Sequence, residues 1–154
     1  MFDQAAGDDL RPVVLVVEDE ALISMMIEEI IESVGCRAVC SLDGRAMFDG
    51  TPIEVSRLAA AVVDLGLRDG LDGRDVIRHL RSRNRTLPVA VVTGYTASAG
   101  KADLRGLGGP TVRFEKPFKR ADVGQWLSDA MASRLPDRPD EERRQALHRL
   151  FGLG

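Results

Sequence analysis

The 154-residue chain predicts an α/β domain built on a five-stranded parallel sheet with helices on both faces. Three observations lead there. The short runs VVLVV (13–17), AAAVVDL (59–65) and VAVVT (89–93) are almost wholly apolar and rich in valine, as strands buried on both faces must be. Between them lie segments whose apolar residues recur every three or four positions, the period of a helix resting on such a sheet. A composition 44% hydrophobic and 29% charged supplies a core and excludes a disordered chain.

The elements follow in order. Residues 1–11 are an N-terminal extension, and Pro12 precedes the first strand. The acidic cluster Glu18-Asp19-Glu20 then leads into a helical pattern. Ile23, Met26, Ile27, Ile30 and Val34 share one face of it, with Glu28, Glu29 and Glu32 between them. Gly35 ends that helix as a left-handed cap residue does. CRAVC (36–40) is a short second strand. Its two cysteines would share a face about 13 Å apart, beyond the reach of a disulfide, and are expected as two core thiols. Residues 43–58 stay undecided between short helix and loop, because Gly50 and Pro52 limit any helix.

The third strand (59–65) runs into the turn-rich GLRDGLDG, and Asp72 or Gly73 starts a helix carrying Val76, Ile77 and Leu80. Pro88 opens the fourth strand. Residues 94–110 hold five glycines and read as a loop with at most a stunted helix. TVRFE (111–115) is the fifth strand, ended by Lys116-Pro117. A last helix over 119–133 presents Val123, Trp126, Leu127, Ala130 and Met131 inward. The domain is therefore expected over 12–133, with 134–154 as a tail. In that tail Asp137 and Pro139 suit a helix start, and Ala146, Leu147, Leu150 and Phe151 would share an apolar face. Such a stripe could dock on the domain, on a second copy or on a partner.

Charge and termini narrow the function. A formal charge of −3 and a pI near 5.4 exert no pull toward nucleic acid or anionic membrane. No apolar run reaches the roughly 18 residues of a membrane span. The opening MFDQAAGDDLRP has acids where a secretory signal needs basic and apolar segments, so a cytoplasmic protein is expected. With His79 and His148 the only histidines, far apart in sequence, a zinc site is not expected.

The strand ends carry the chemistry. The first strand delivers Glu18 and Asp19, the third Asp64, the fourth Thr93 and the fifth Lys116. In an open parallel sheet these carboxyl ends share one edge. Singly, each has an ordinary explanation: Asp64 as a turn former, Thr93 as a turn residue, Lys116 as a solvated charge, the acids as partners of a helix dipole. Jointly they stand out, since no polar group is expected at the opposite strand ends. Carboxylates crowded in one crevice need a cation, and a few oxygen ligands suit Mg²⁺. A hydroxyl and an ammonium beside them fit a phosphoryl group as common ligand.

VLVVEDE, VVDLGL, VVTGY and FEKPF, in that order and spacing, resemble the receiver domain of bacterial two-component response regulators over residues 12–133. The resemblance implies a flavodoxin-like, CheY-like sheet. It also implies that Asp64 accepts a phosphoryl group from a phosphohistidine on a sensor histidine kinase or histidine phosphotransfer protein. By the same resemblance Asp19 and Asp64 ligate Mg²⁺, Glu18 mainly through water, and the backbone carbonyl of Gly66 adds a ligand. Thr93 and Lys116 would hold the phosphoryl oxygens, and the Lys116-Pro117 bond is expected to be cis. Such a domain is no enzyme in the usual sense, although it catalyses its own Mg²⁺-dependent phosphorylation and dephosphorylation.

The departures are informative. Glu18 stands where aspartate is commoner. Arg113, expected near the surface, takes the place of the usual aromatic switch three residues before the lysine. Tyr95, two residues after Thr93, resembles the relocated aromatic of the FAT GUY receivers. With only about twenty residues after the last helix, the expectation is a single-domain regulator acting as phosphorelay shuttle, phosphate sink or kinase modulator. It could also form a homodimer. An aspartate-nucleophile phosphatase would need a second acid where Gly66 stands. A pseudo-receiver that binds partners without phosphorylation is the alternative that Arg113 keeps open.

Overall fold

In the computed structural model, which describes residues 9–41, 54–67, 70–95, 100 and 103–134, the apolar runs become five strands. They are β1 (Val13–Val17), β2 (Arg37–Ser41), β3 (Ala60–Asp64), β4 (Val89–Thr93) and β5 (Thr111–Glu115). Among the described residues three helices alternate with them: α1 (Ala21–Ser33), α2 (Gly73–Arg83) and α3 (Arg120–Ser133). A 3-10 turn, Val55–Arg57, precedes β3. All strand pairs are parallel, in the order β2-β1-β3-β4-β5. The order reverses between β1 and β3, where a doubly wound sheet opens a crevice beyond its carboxyl ends. This is the expected flavodoxin-like sheet.

Alternation along each strand divides the core into two layers. Leu15, Val17, Ala61, Val63, Val89 and Val91 meet Val76, Ile77 and Leu80 of α2 on one face. Val14, Val16, Ala60, Val62, Ala90 and Val92 meet Ile27 and Ile31 of α1 and Leu127 and Met131 of α3 on the other. Full burial of each such Val, Leu or Ile side chain contributes about 1.5–3 kcal/mol. The expected α1 face is present, with Ile31 added to it and Met26 only half-buried. Gly35 takes the left-handed conformation (φ 86°) that its place after α1 requires. No helix of the described residues is long and apolar enough to cross a membrane.

Asp72 caps α2, its Oδ1 accepting the backbone N–H of Arg74 at 2.9 Å. Gly73 follows because nothing larger fits. A Cβ there would stand 2.2 Å from the Asp64 carbonyl oxygen and 2.7 Å from the Leu65 Cα. The start of α2 is thus pressed onto the end of β3. Gly73→Ala is expected to destabilise the domain by about 1–3 kcal/mol, the usual range for an overpacked site. The check is a lower urea midpoint at unchanged slope. An unchanged midpoint would contradict this packing.

Three expectations need correction. Cys36 is buried but Cys40 is exposed, so the two are not both core thiols; both are free. The physical reason is that β2 lies at the sheet edge, with a neighbour on one side only. Strand β2 also starts at Arg37 and β3 at Ala60, one residue later than the sequence suggests. Finally, polar groups do occupy the amino edge. Arg81, 6% exposed, donates to the carbonyls of Leu87, Leu107, Gly108 and Pro110 and to Oγ1 of Thr111, the first residue of β5. Residues 103–110 make turns and irregular backbone. The tail stripe from Ala146 to Phe151 and the undecided stretch at 43–53 lie outside the described residues.

Candidate functional site

At the carboxyl edge the chain leaves β1, β3, β4 and β5 on polar residues, and the sheet brings them together. Asp64 ends β3 at 4% exposure, and Glu18 and Thr93 are fully buried. Lys116 reaches in from just beyond β5. Its Nζ lies 3.2 Å from Asp64 Oδ2, 2.9 Å from Glu18 Oε2 and 3.8 Å from Glu20 Oε1. The backbone holds the lysine there. Its N–H donates to the Thr93 carbonyl at 2.7 Å, and the Lys116-Pro117 peptide is cis, as expected.

Each carboxylate is also tied to the chain beyond it. Asp64 Oδ1 accepts the N–H of Gly66 at 3.0 Å, and Glu18 Oε1 accepts that of Glu20 at 3.0 Å. Carboxylate oxygens of Glu18, Asp19 and Asp64 lie within 4.8 Å of one another. Glu18 Oε2 is buried without an aligned hydrogen-bond donor, although the Lys116 ammonium is in ionic contact. Glu20 occupies the N-cap position of α1, yet its side chain makes no capping hydrogen bond. Glu20 instead lines the cleft. In the sequence Glu20 is only the end of the acidic run, and its adjacency to Glu18 and Asp19 is the signal for a place in the site.

Charge and burial oppose each other here. Burial pushes the Glu18 carboxyl above its ordinary value, against the pull of Lys116. Burial alone would lower the Lys116 ammonium, but Glu18 and Asp64 hold it above its usual value. Four carboxyl groups, of Glu18, Asp19, Glu20 and Asp64, against one ammonium leave the crevice negative, which favours a further cation. Glu20, Asp64, Gly66, Thr93, Gly94, Tyr95 and Lys116 line a cleft of about 280 Å³.

Thr93 Oγ1 accepts the N–H of Tyr95 at 2.9 Å. The Tyr95 ring lies over Gly66, where a Cβ would come 3.2 Å from the phenol oxygen. No sequence pattern signals that contact, because it joins the turns after two different strands. Arg113 departs from expectation. Its side chain is only 19% exposed, 3.7 Å from Glu115, and its Nε lacks a hydrogen-bond partner. It stands opposite Val91 in the ladder, on a face that packing covers.

The family model for the response regulator receiver domain matches residues 14–127, from β1 into α3. The chain is 28% identical over 134 residues to the phyllosphere-induced regulator PhyR of Methylorubrum extorquens, across 85% of this chain and 49% of PhyR. It is 32% identical over 110 residues to the transcriptional regulatory protein TctD of Salmonella typhimurium, across 71% of this chain and 47% of TctD. It thus spans about half the length of these curated relatives. A receiver domain from a sensor histidine kinase of Pseudomonas aeruginosa PAO1, solved with magnesium in its active-site cleft, shares the fold. The TM-score is 0.59 at 23% identity, covering 92% of this chain and 98% of that one. The match runs through the strands that bring Asp64, Thr93 and Lys116 to one edge, and the chain belongs to the response regulator receiver domains of two-component systems.

Proposed function

We propose that the domain accepts a phosphoryl group on Asp64 from a phosphohistidine of a sensor histidine kinase or histidine phosphotransfer protein, and signals by onward transfer or by docking. The observation that carries this is the Asp64 carboxylate, 3.2 Å from Lys116 Nζ in a cleft it shares with Thr93. A carboxylate oxygen attacks phosphorus while the P–N bond breaks, its electron pair returning to the imidazole nitrogen. The product is an acyl phosphate on Asp64. Lys116 is placed to neutralise the phosphoryl oxygens. Thr93 Oγ1 already accepts from Tyr95, so its own O–H is left to donate.

The residues fit Mg²⁺. The donors are all oxygens, and buried Glu18 Oε2 lacks an aligned donor. Asp19, Asp64 and the Gly66 carbonyl would hold the ion, with Glu18 acting through water. When bound, Mg²⁺ supplies charge that lets a phosphoryl group approach these carboxylates. Tyr95, already over Gly66, is the aromatic that responds to phosphorylation, since Arg113 occupies the position usual for one. This arrangement accords with the FAT GUY receivers.

The test is to incubate the full chain with a small acyl phosphate and Mg²⁺ and weigh the intact protein. One phosphoryl group is expected, and none in excess chelator. A chain that gains no mass from such a donor or from an active histidine kinase refutes the reading. A gain unaffected by chelator refutes the Mg²⁺ site.

A further inference from the structure

Among the described residues, the crossover from β4 to β5 meets the β3–α2 segment through Tyr95, Gly100 and residues 107–111, in the same chain order on both sides. Tyr95 lies over Gly66, Arg74 Nη1 donates to the Gly100 carbonyl at 3.1 Å, and Arg81 holds residues 107–111. Arg74 and Arg81 are seven residues apart, so they share one face of α2.

Arg74 is the tie nearer the cleft. Its Nη2 and Nε donate to Asp72 Oδ2 at 2.7 and 3.0 Å, and Nε also reaches Oδ1 at 3.2 Å. Asp72 in turn bridges by its backbone to Gly66, two residues beyond Asp64. One guanidinium therefore joins the turn after Asp64 to the crossover that begins after Thr93. It is 23% exposed, well below a solvated surface arginine. The fork matters: a planar group with several fixed donors can hold a carboxylate on one edge and a carbonyl on the other, whereas an ammonium cannot span both.

Strand pairing sets Asp64 opposite Val92 and thereby fixes β3 against β4. Pairing ends there; beyond it Gly66 is held to Asp64 and Asp72 and Tyr95 to Thr93, contacts within each turn that leave the spacing between the two turns to others. We propose that Arg74 is a positioning residue for the cleft, holding these two turns at one spacing through Asp72 and Gly100. The inference rests on Asp64 as phospho-acceptor.

The experiment uses the full chain in four forms: unchanged, Arg74→Gln, Arg74→Lys, and Arg78→Gln as an exposed control on the same helix. Phosphorylation from a small acyl phosphate with Mg²⁺ is followed by intact mass. Tyr95 is the only tyrosine, so fluorotyrosine labelling gives one ¹⁹F resonance at the cleft mouth. In Arg74→Gln the rate is expected to fall on the order of tenfold, within the roughly hundredfold that a 1 Å misplacement can cost. The resonance should move toward the free amino acid as the ring leaves Gly66. Arg74→Lys, which keeps the charge and serves if the glutamine variant does not fold, should show the same two changes. Arg78→Gln should show neither. If both Arg74 variants keep the unchanged rate and resonance and lose only thermal stability, Arg74 is a local helix-start contact and the proposal is wrong. If the unchanged chain gains no phosphoryl group, the reading of Asp64 fails first and takes this inference with it.

Discussion

Asp64→Asn is expected to take up no phosphoryl group over the time in which the unchanged chain reaches its full mass gain. The amide has the shape of the carboxylate but not its nucleophilic charge. Fold should survive the change, because Asp64 Oδ1 accepts one backbone N–H and an amide oxygen can do the same. The variant also leaves Lys116 paired with Glu18. Circular dichroism should therefore match while the mass gain disappears. Phosphoryl uptake by Asp64→Asn at the original rate would place the acceptor elsewhere, with Asp19 the next carboxylate to test.

The largest loss of stability is expected from Arg81→Met. Methionine keeps the apolar stem but removes every donor that Arg81 extends to Leu87, Leu107, Gly108, Pro110 and Thr111. Each buried carbonyl left without a partner costs roughly 1–3 kcal/mol, so a total of about 3–5 kcal/mol is expected after partial rehydration. That is a large share of the roughly 5–15 kcal/mol that holds a typical domain together. Gly109 fits the same account: it has φ 53°, and a Cβ there would stand 2.6 Å from Arg81 Nε. Arg81→Lys should recover only part of the loss, because one ammonium cannot face so many acceptors. A fall of less than about 1 kcal/mol in chemical denaturation would mean that these carbonyls find water easily.

What the sequence determined by itself was the sheet and the site along its edge. VVLVV, VAVVT and TVRFE became strands with the expected bounds because each is a short β-rich run with a proline at its start. Parallel pairing then carried Glu18, Asp64, Thr93 and Lys116 to one edge, since each lies at or just beyond a strand's carboxyl end. That inference needed only the order of the runs. The tertiary structure alone decided which charges are buried and which loops touch. Arg81 sits in RDVIRHLRSR, where nothing local separates it from exposed Arg83. Its acceptors at Leu107, Gly108, Pro110 and Thr111 lie 26 to 30 residues away, and all but the Thr111 hydroxyl are carbonyls, which have no side-chain signature. Cys40 is exposed against expectation, because period-two alternation says which face a residue is on but not how far the covering layer reaches over an edge strand. Arg74 and Tyr95 are the same kind of case. Their contacts join separate turns, and turn contacts follow from how the layers stack rather than from any repeating pattern along the chain.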